Sequence, residues 1–128
     1  MHHHAKGAFT IDGRDASPID WEGGQMSRTR FAKTFTGEIA GTSIVEATML
    51  RLEQEGPAIY VGIERFDCVL RGRAGTFVLL HLATALGREQ KGTWTIVAGS
   101  GTGELRSIRG HAEILPDHEL ALDYELDS

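Results

Sequence analysis

The residues of this chain best suited to acid–base chemistry are one histidine and two glutamates, each set among apolar residues. His81 lies within residues 76–86, the most apolar segment, and Glu46 and Glu64 lie in two other segments rich in β-forming residues. Burial and neighbouring groups adjust the pKa of such a histidine, so it can act as a general acid or base. An inward-facing glutamate can pair with His81 or share a proton with the other glutamate.

The sequence alone does not determine whether these side chains point into the core or outward. His81 also fits a neutral core histidine held by one hydrogen bond. If the odd-numbered residues of 59–63 face the core, Glu64 points outward as a surface charge and Arg65 lies near the inward register, because neighbouring residues of a strand face opposite sides. Glu46 likewise fits a surface charge. The sequence therefore nominates His81, Glu64 and Glu46 as catalytic candidates without fixing their orientation.

Three aromatic residues with a polar group are candidates for lining a ligand pocket. Tyr60, Trp94 and Tyr124 combine a large apolar surface with a hydrogen-bond donor. Arg65 is a candidate charged contact beside them. The same residues also fit ordinary core or interface packing.

The sequence nominates no metal site and no cofactor. A zinc site needs three or four convergent ligands, and His111 and His118 lack a ligand-pair spacing. The glycine-rich run 99–103 is not followed by room for the βαβ unit that a dinucleotide site requires, so we expect a tight bend with one helical turn at 104–107. Cys68 has no motif of a nucleophile and is expected to be a small buried hydrophobe.

Composition excludes several classes of partner. The chain has 128 residues, 13 Lys and Arg against 18 Asp and Glu, and a net charge of −5. Without a basic stripe we expect neither nucleic acid nor an anionic membrane as partner. No apolar run approaches the roughly 20 residues of a spanning helix, and no secretory signal is evident. The single cysteine is compatible with a reducing compartment, so we expect a cytoplasmic protein.

We expect residues 1–128 to form one all-β domain. Residues 1–5 are expected to be a flexible start or a tag remnant. Residues 16–25 fit a loop, with Pro18 and the glycine pair 23–24 as punctuation. Residues 45–55 also fit a helix, but turn signals on both sides favour a strand. The predicted strands are 6–14, 28–39, 43–53, 58–70, 76–86, 91–98, 108–115 and 120–126. Closure into a single eight-stranded antiparallel β-barrel removes the exposed edges of so many long strands, and a β-sandwich is the alternative.

Several longer motifs resemble a known bacterial family, the domain-of-unknown-function 3224 family. The resemblance rests on residues 92–110 (GTWTIVAGSGTGELRSIRG), 60–65 (YVGIER), 75–81 (GTFVLLH), 35–41 (FTGEIAG) and 122–126 (LDYEL). It implies the allene oxide cyclase-like, or calycin-like, eight-stranded barrel. Members of that wider group hold an apolar molecule in the barrel and steer its cyclisation or coupling, which reaches this chain only by analogy of fold.

Three functional hypotheses follow. The first is a barrel that binds a small apolar molecule without chemistry. The second is a cyclase, isomerase or other acid–base enzyme using His81 with Glu46 or Glu64. The third is a filled barrel acting as an oligomeric interaction module. Residues 76–86 are apolar on both faces, which favours burial of their outer face in a homo-oligomer, most simply a dimer. A cavity with an ionisable cluster would favour the enzyme, and an apolar cavity without one the binding protein.

Overall fold

Strands make up nearly all of the computed structural model, which describes residues 1–53, 58–86 and 89–127. A short 3₁₀ helix, Gly103–Leu105, lies between the sixth and seventh strands. Each strand pairs antiparallel with the next, and the eighth pairs with the first, which confirms the predicted closed barrel. The strands are β1 (His2–Trp21), β2 (Gly24–Gly37), β3 (Ile39–Leu52), β4 (Ala58–Leu70), β5 (Arg73–Leu86), β6 (Glu89–Ile96), β7 (Arg109–Leu115) and β8 (Glu119–Glu125).

One half of the barrel is filled by apolar side chains. Alternate residues of each strand point inward, as the period of two requires. The predicted inner face of the last strand is confirmed, since Leu120, Leu122 and Tyr124 are buried with Leu126 beyond them. The aromatic and large aliphatic members of this core are Phe9, Phe35, Ile39, Phe66, Leu70, Phe77, Leu79, Ile96, Leu105, Ile108, Leu120, Leu122, Tyr124 and Leu126. We call this part of the barrel the filled half.

The segment that also fitted a helix is a strand. β3 continues through Leu52, with Val45 and Ala47 buried and Glu46 between them exposed. Pairing with both β2 and β4 satisfies its backbone, and this tertiary context outweighs the helix propensity of the segment. The turn expected at Gly56 and Pro57 lies outside the described residues.

Most of the loop expected at residues 16–25 is wrong, because β1 runs on to Trp21 and pairs with β2. Only the turn at residues 22–23 remains of it, at the glycine pair that the sequence indicated. A register shift between Ile11 and Gly13 moves the inward set from odd to even residues, which breaks the sequence alternation. Pro18 is tolerated there because the β1–β8 pairing ends at Ala8, which leaves that edge of β1 without a strand partner among the described residues. Strand pairing therefore does not close the barrel wall along this edge, and we call this part of the barrel the open half.

Residues 2–5, expected to be a flexible start, belong to β1. They pair with β8 from His2 opposite Glu125 to Ala5 opposite Leu122, and Ala5 is buried. The helical turn expected at 104–107 is the 3₁₀ helix at Gly103–Leu105, whose Leu105 is buried in the core.

The outer faces of β4 and β5 carry a patch of apolar side chains. Val61, Ile63 and Leu82 are exposed, and Leu80 beside Ile63 is half-buried. The apolar character of both faces of residues 76–86 is thus confirmed, while the dimer inferred from it stays a prediction.

Candidate functional site

A buried ionisable pair lies where the filled half of the barrel meets the open half. Glu64 on β4 and His81 on β5 both point inward, and the glutamate is completely buried. His81 stands opposite Gly62, two residues before Glu64, so the two side chains meet diagonally across the strands. His81 Nε2 lies 2.8 Å from Glu64 Oε1.

Two further side chains complete a polar cluster around the carboxylate. Lys33 and Ser43 face each other on β2 and β3 and are both buried. The Ser43 hydroxyl donates to Glu64 Oε2 at 2.5 Å, and Lys33 Nζ lies 3.4 Å from the same oxygen. The ammonium also lies 4.4 Å from the centre of the Phe9 ring, a favourable cation–π position. Both carboxylate oxygens are therefore satisfied by charged or polar partners.

Sequence reasoning missed Lys33 and Ser43 as members of the site. The signal for Lys33 was present, because it alternates in phase with Phe31 and Phe35, which form the inner face of β2. A lysine in phase with core aromatics needs a buried anion. Ser43 carried no comparable signal, since serine is common on any strand.

The surroundings of Glu64 fix the direction of proton donation. Burial alone would raise its pKa, but the hydrogen bond from His81, the charge of Lys33 and the Ser43 hydroxyl outweigh burial and lower the pKa below its ordinary value. An ionised carboxylate only accepts hydrogen bonds, so His81 Nε2–H is the donor. No other hydrogen bond of His81 is found in the described part of the chain, which leaves Nδ1 free as a proton acceptor in the neutral ring.

Above this cluster the open half of the barrel encloses a cavity of about 810 Å³. Tyr60 and Trp94 line it and flank His81, with ring centres 6.0 and 6.4 Å from the imidazole centre. Neither Glu64 nor His81 is among the residues that line the cavity. The remaining lining residues are Pro18, Asp20, Gln25, Met26, Ser27, Met49, Leu50, Arg51, Ala58, Ile59, Ala83, Thr84, Ala85, Gln90, Lys91 and Gly92.

Two glycines let these aromatic rings lie against the barrel wall. A Cβ atom at Gly92 would lie 2.6 Å from the Trp94 ring, and one at Gly62 would lie 3.0 Å from the Tyr60 ring. A methyl group at Gly92 would force the Trp94 ring to shift, and one at Gly62 would require a smaller adjustment of the Tyr60 ring. The small residues thus set both the shape of the floor and the volume above it.

Tyr60 reaches the cavity as a neutral phenol. Burial and the negative charge of Glu64 raise its pKa to about 12, although Arg14 acts in the opposite direction. The guanidinium of Arg14 lies 5.6 Å from the centre of the Phe31 ring, on the stretch of β1 that the register shift turns inward. At neutral pH the Tyr60 hydroxyl is therefore available as a hydrogen-bond donor.

The structure brings together only part of the predicted set. Glu46 lies on the outer surface, 3.5 Å from Arg30, because it has the opposite phase to Val45 and Ala47. It therefore does not contact His81, and of the two glutamates only Glu64 faces inward.

Two of the four candidate ligand contacts lie elsewhere. Arg65 is exposed on the outer face with Val61 and Ile63, because Glu64 between them faces inward. Tyr124 belongs to the filled half, where its ring stacks on His3 with centres 5.2 Å apart. Tyr60 and Trp94 are the two candidates that line the cavity.

Metal-ligating side chains gather at a different place. His2, His4 and Asp123 approach one another on the outer surface of the barrel, away from the cavity lining. Such a cluster was not expected from the sequence.

Comparison with known proteins agrees with this architecture. A family model described as "Protein of unknown function (DUF3224)" matches residues 5–127. The chain belongs to the DUF3224 family. Its fold is shared by the crystal structure of a DUF3224 protein of unknown function from Shewanella oneidensis MR-1, with 26% identity, a TM-score of 0.82 and coverage of 100% of both chains.

No curated protein matches this DUF3224 chain. The wider kinship with allene oxide cyclase-like barrels therefore stays a prediction. Among the described residues, no helix has the length and apolarity needed to span a membrane.

Proposed function

We propose that this DUF3224 protein binds one small, largely apolar molecule in the open half of its barrel. The observation that carries the proposal is the cavity of about 810 Å³ above Tyr60 and Trp94. Ligand cavities in proteins measure roughly 300–1,000 Å³ and combine apolar walls with a few polar groups. An eight-stranded barrel has an interior of the right width for one such ligand.

The lining indicates the character of the ligand. Met49, Ala83 and the two aromatic residues provide apolar surface deep in the cavity, and Tyr60 adds a hydrogen-bond donor. Charged groups such as Arg51 line the cavity as well. The proposed ligand is therefore apolar over most of its surface and accepts a hydrogen bond at one end.

Binding can be tested with the fluorescent probe N-phenyl-1-naphthylamine and a variant that fills the cavity. Ala83 lies between Tyr60 and Gly92 in the strand pairing, so the phenyl ring of Ala83→Phe would occupy the cavity. Leu82→Phe is the matched control, because Leu82 is exposed on the outer face of the same strand. We expect the wild type and Leu82→Phe to bind one probe per chain, and Ala83→Phe to lose most of that binding.

Circular dichroism of each variant verifies the fold before the titration. Unchanged probe binding by a folded Ala83→Phe protein would place the probe elsewhere and refute the cavity as the binding site. Equal losses in Ala83→Phe and Leu82→Phe would contradict it as well.

A second candidate function is acid–base catalysis by His81. The observation that favours it is the hydrogen bond that fixes Nε2 on Glu64 and leaves Nδ1 as a proton acceptor. A carboxylate that orients an imidazole and stabilises its protonated form is a recurring feature of general bases.

Hydrogen exchange in D₂O tests this candidate without a known product. A general base that removes a proton from carbon returns a deuteron after its imidazolium exchanges with solvent. Small molecules extracted from protein purified from its own host would be incubated with the wild type and with His81→Gln, then analysed by mass spectrometry. Enzyme-dependent deuterium uptake that is absent with His81→Gln supports the role, and equal uptake with both proteins excludes His81 as the base.

A further inference from the structure

We infer that the outer surface of the barrel carries a binding site for zinc or a similar divalent transition-metal ion. Its ligands are His2 and His4 of β1 and Asp123 of β8. His111 of β7, whose Nε2 lies 3.6 Å from Asp123 Oδ2, is the candidate for a further coordination position. This site is separate from the cavity and does not depend on the proposed ligand binding.

Strand register brings these residues together. Asp123 is paired with His4 on one side and with His111 on the other, so three adjacent strands present one donor each in a row. Directly opposite Cβ atoms in antiparallel strands lie about 4.5–5.5 Å apart. His2 lies two residues before His4 and shares its outward face.

The donor atoms are already close to a coordinating arrangement. One nitrogen from each of His2 and His4 and one carboxylate oxygen of Asp123 lie within 4.8 Å of one another. His2 Nε2 is 2.5 Å from Asp123 Oδ1, and His111 Nε2 is 3.6 Å from Oδ2. Zinc–ligand bonds of about 2.0–2.2 Å in a tetrahedron place donors roughly 3.3–3.6 Å apart. To reach that spacing, His2 Nε2 must move away from Asp123 Oδ1 by about 0.8 Å, and His4 Nδ1, 4.0 Å from Oδ2, must approach by about 0.4 Å.

One carboxylate oxygen of Asp123 lies against a histidine nitrogen in an arrangement that is not a hydrogen bond. Asp123 Oδ1 is buried and forms no hydrogen bond within the described residues, despite the approach of His2. A carboxylate oxygen beside an imidazole nitrogen that does not donate to it suits shared coordination of a cation. Arg109 on β7 does not fill this role, because its guanidinium pairs with Glu125 and Asp127 at 3.2 Å each.

The donor set selects the class of metal. Imidazole nitrogens with one carboxylate suit zinc and neighbouring transition ions, whereas magnesium and calcium prefer all-oxygen sites. An ion held by these residues would also link β1 to β7 and β8. Since it binds the folded arrangement, it would raise the thermal stability of the protein.

Zinc titration of the full chain by calorimetry at about pH 7.5 tests the inference. The informative pair of variants is His4→Gln and His3→Gln. His3 lies between His2 and His4 but stacks on Tyr124 instead of facing Asp123. We expect one zinc per chain in the wild type, an affinity loss of at least about tenfold with His4→Gln, and little change with His3→Gln.

Asp123→Asn and His111→Gln, far from His4 in the sequence, extend the test. Each should weaken zinc binding, by about tenfold or more for the aspartate, and an excess of magnesium should not displace zinc. Equal losses with His3→Gln and His4→Gln would show that a run of histidines binds zinc without a built site, and would overturn the inference. Zinc binding unchanged in folded Asp123→Asn protein would overturn it too.

Discussion

Removal of the Glu64 charge should strongly destabilise the protein, because it leaves a buried ammonium without its counter-ion. Glu64→Gln keeps the size of the side chain and retains an oxygen that can accept from Ser43 or His81. Lys33 is 5% exposed and lies 3.4 Å from the carboxylate, so the charge that remains is largely cut off from water. Breaking a buried ion pair by removing one partner typically costs about 3–5 kcal/mol.

That cost is a large fraction of the stability of an ordinary domain, about 5–15 kcal/mol. The double variant Glu64→Gln/Lys33→Met removes both charges and keeps an unbranched side chain at position 33. Replacement of a whole buried ion pair is often close to neutral. We therefore expect the double variant to be more stable than Glu64→Gln alone.

Urea unfolding followed by circular dichroism measures these differences as free energies of unfolding. Glu46→Gln is the matched control, because Glu46 is exposed beside Arg30 and its loss should cost no more than about 1 kcal/mol. A cost for Glu64→Gln as small as that of Glu46→Gln would refute the reasoning. A double variant as unstable as the sum of its two single variants would refute it as well.

Three further predictions concern pH, the cavity floor and the cysteine. Glu64 has a pKa below its ordinary value of 4.5, so its contribution is complete above pH 4.5 and is lost as the pH falls through its folded-state pKa. Urea titrations of wild type and Glu64→Gln should therefore give unfolding free energies that become more similar as the pH is lowered below 4.5. A difference that stays constant with pH would contradict this. Gly92→Ala should displace the Trp94 ring and so change the near-ultraviolet circular dichroism spectrum. Gly13→Ala is the control, because there is open space around its Cβ position and its spectrum should not change. Identical spectra for the two variants would contradict the close packing of Trp94 on Gly92. Burial raises the pKa of the Cys68 thiol to about 11, so a thiol reagent should modify the native protein far more slowly than the urea-unfolded protein, and rapid native labelling would disprove that burial.

The barrel could be predicted from the sequence because apolar and polar residues alternate in most of the strands. Phe31 and Phe35 on β2 and the leucines of β8 show the inner faces directly. The inward direction of Glu64 was harder to predict, since apolar residues occur on both faces of β4: Ile63 is 50% exposed although it is a strong core former. Only the pairing with β5 reveals which face is closed.

The cavity and the polar cluster depend on features that no short sequence window contains. The register shift near Asp12 reverses the inward set of β1 and keeps the strand running past Pro18. Lys33 and Ser43 reach Glu64 from strands more than 20 residues away in sequence. The proximity of His4 and Asp123 likewise arises from barrel closure, which joins the first strand to the last.

Native mass spectrometry of the protein purified from its own host tests the central claim most directly, followed by denaturing extraction of whatever is bound. The account predicts one largely apolar small molecule per chain, and its loss in Ala83→Phe but not in Leu82→Phe. An apo mass for the wild type, together with no saturable binding of N-phenyl-1-naphthylamine, would contradict a ligand-binding cavity above Tyr60 and Trp94.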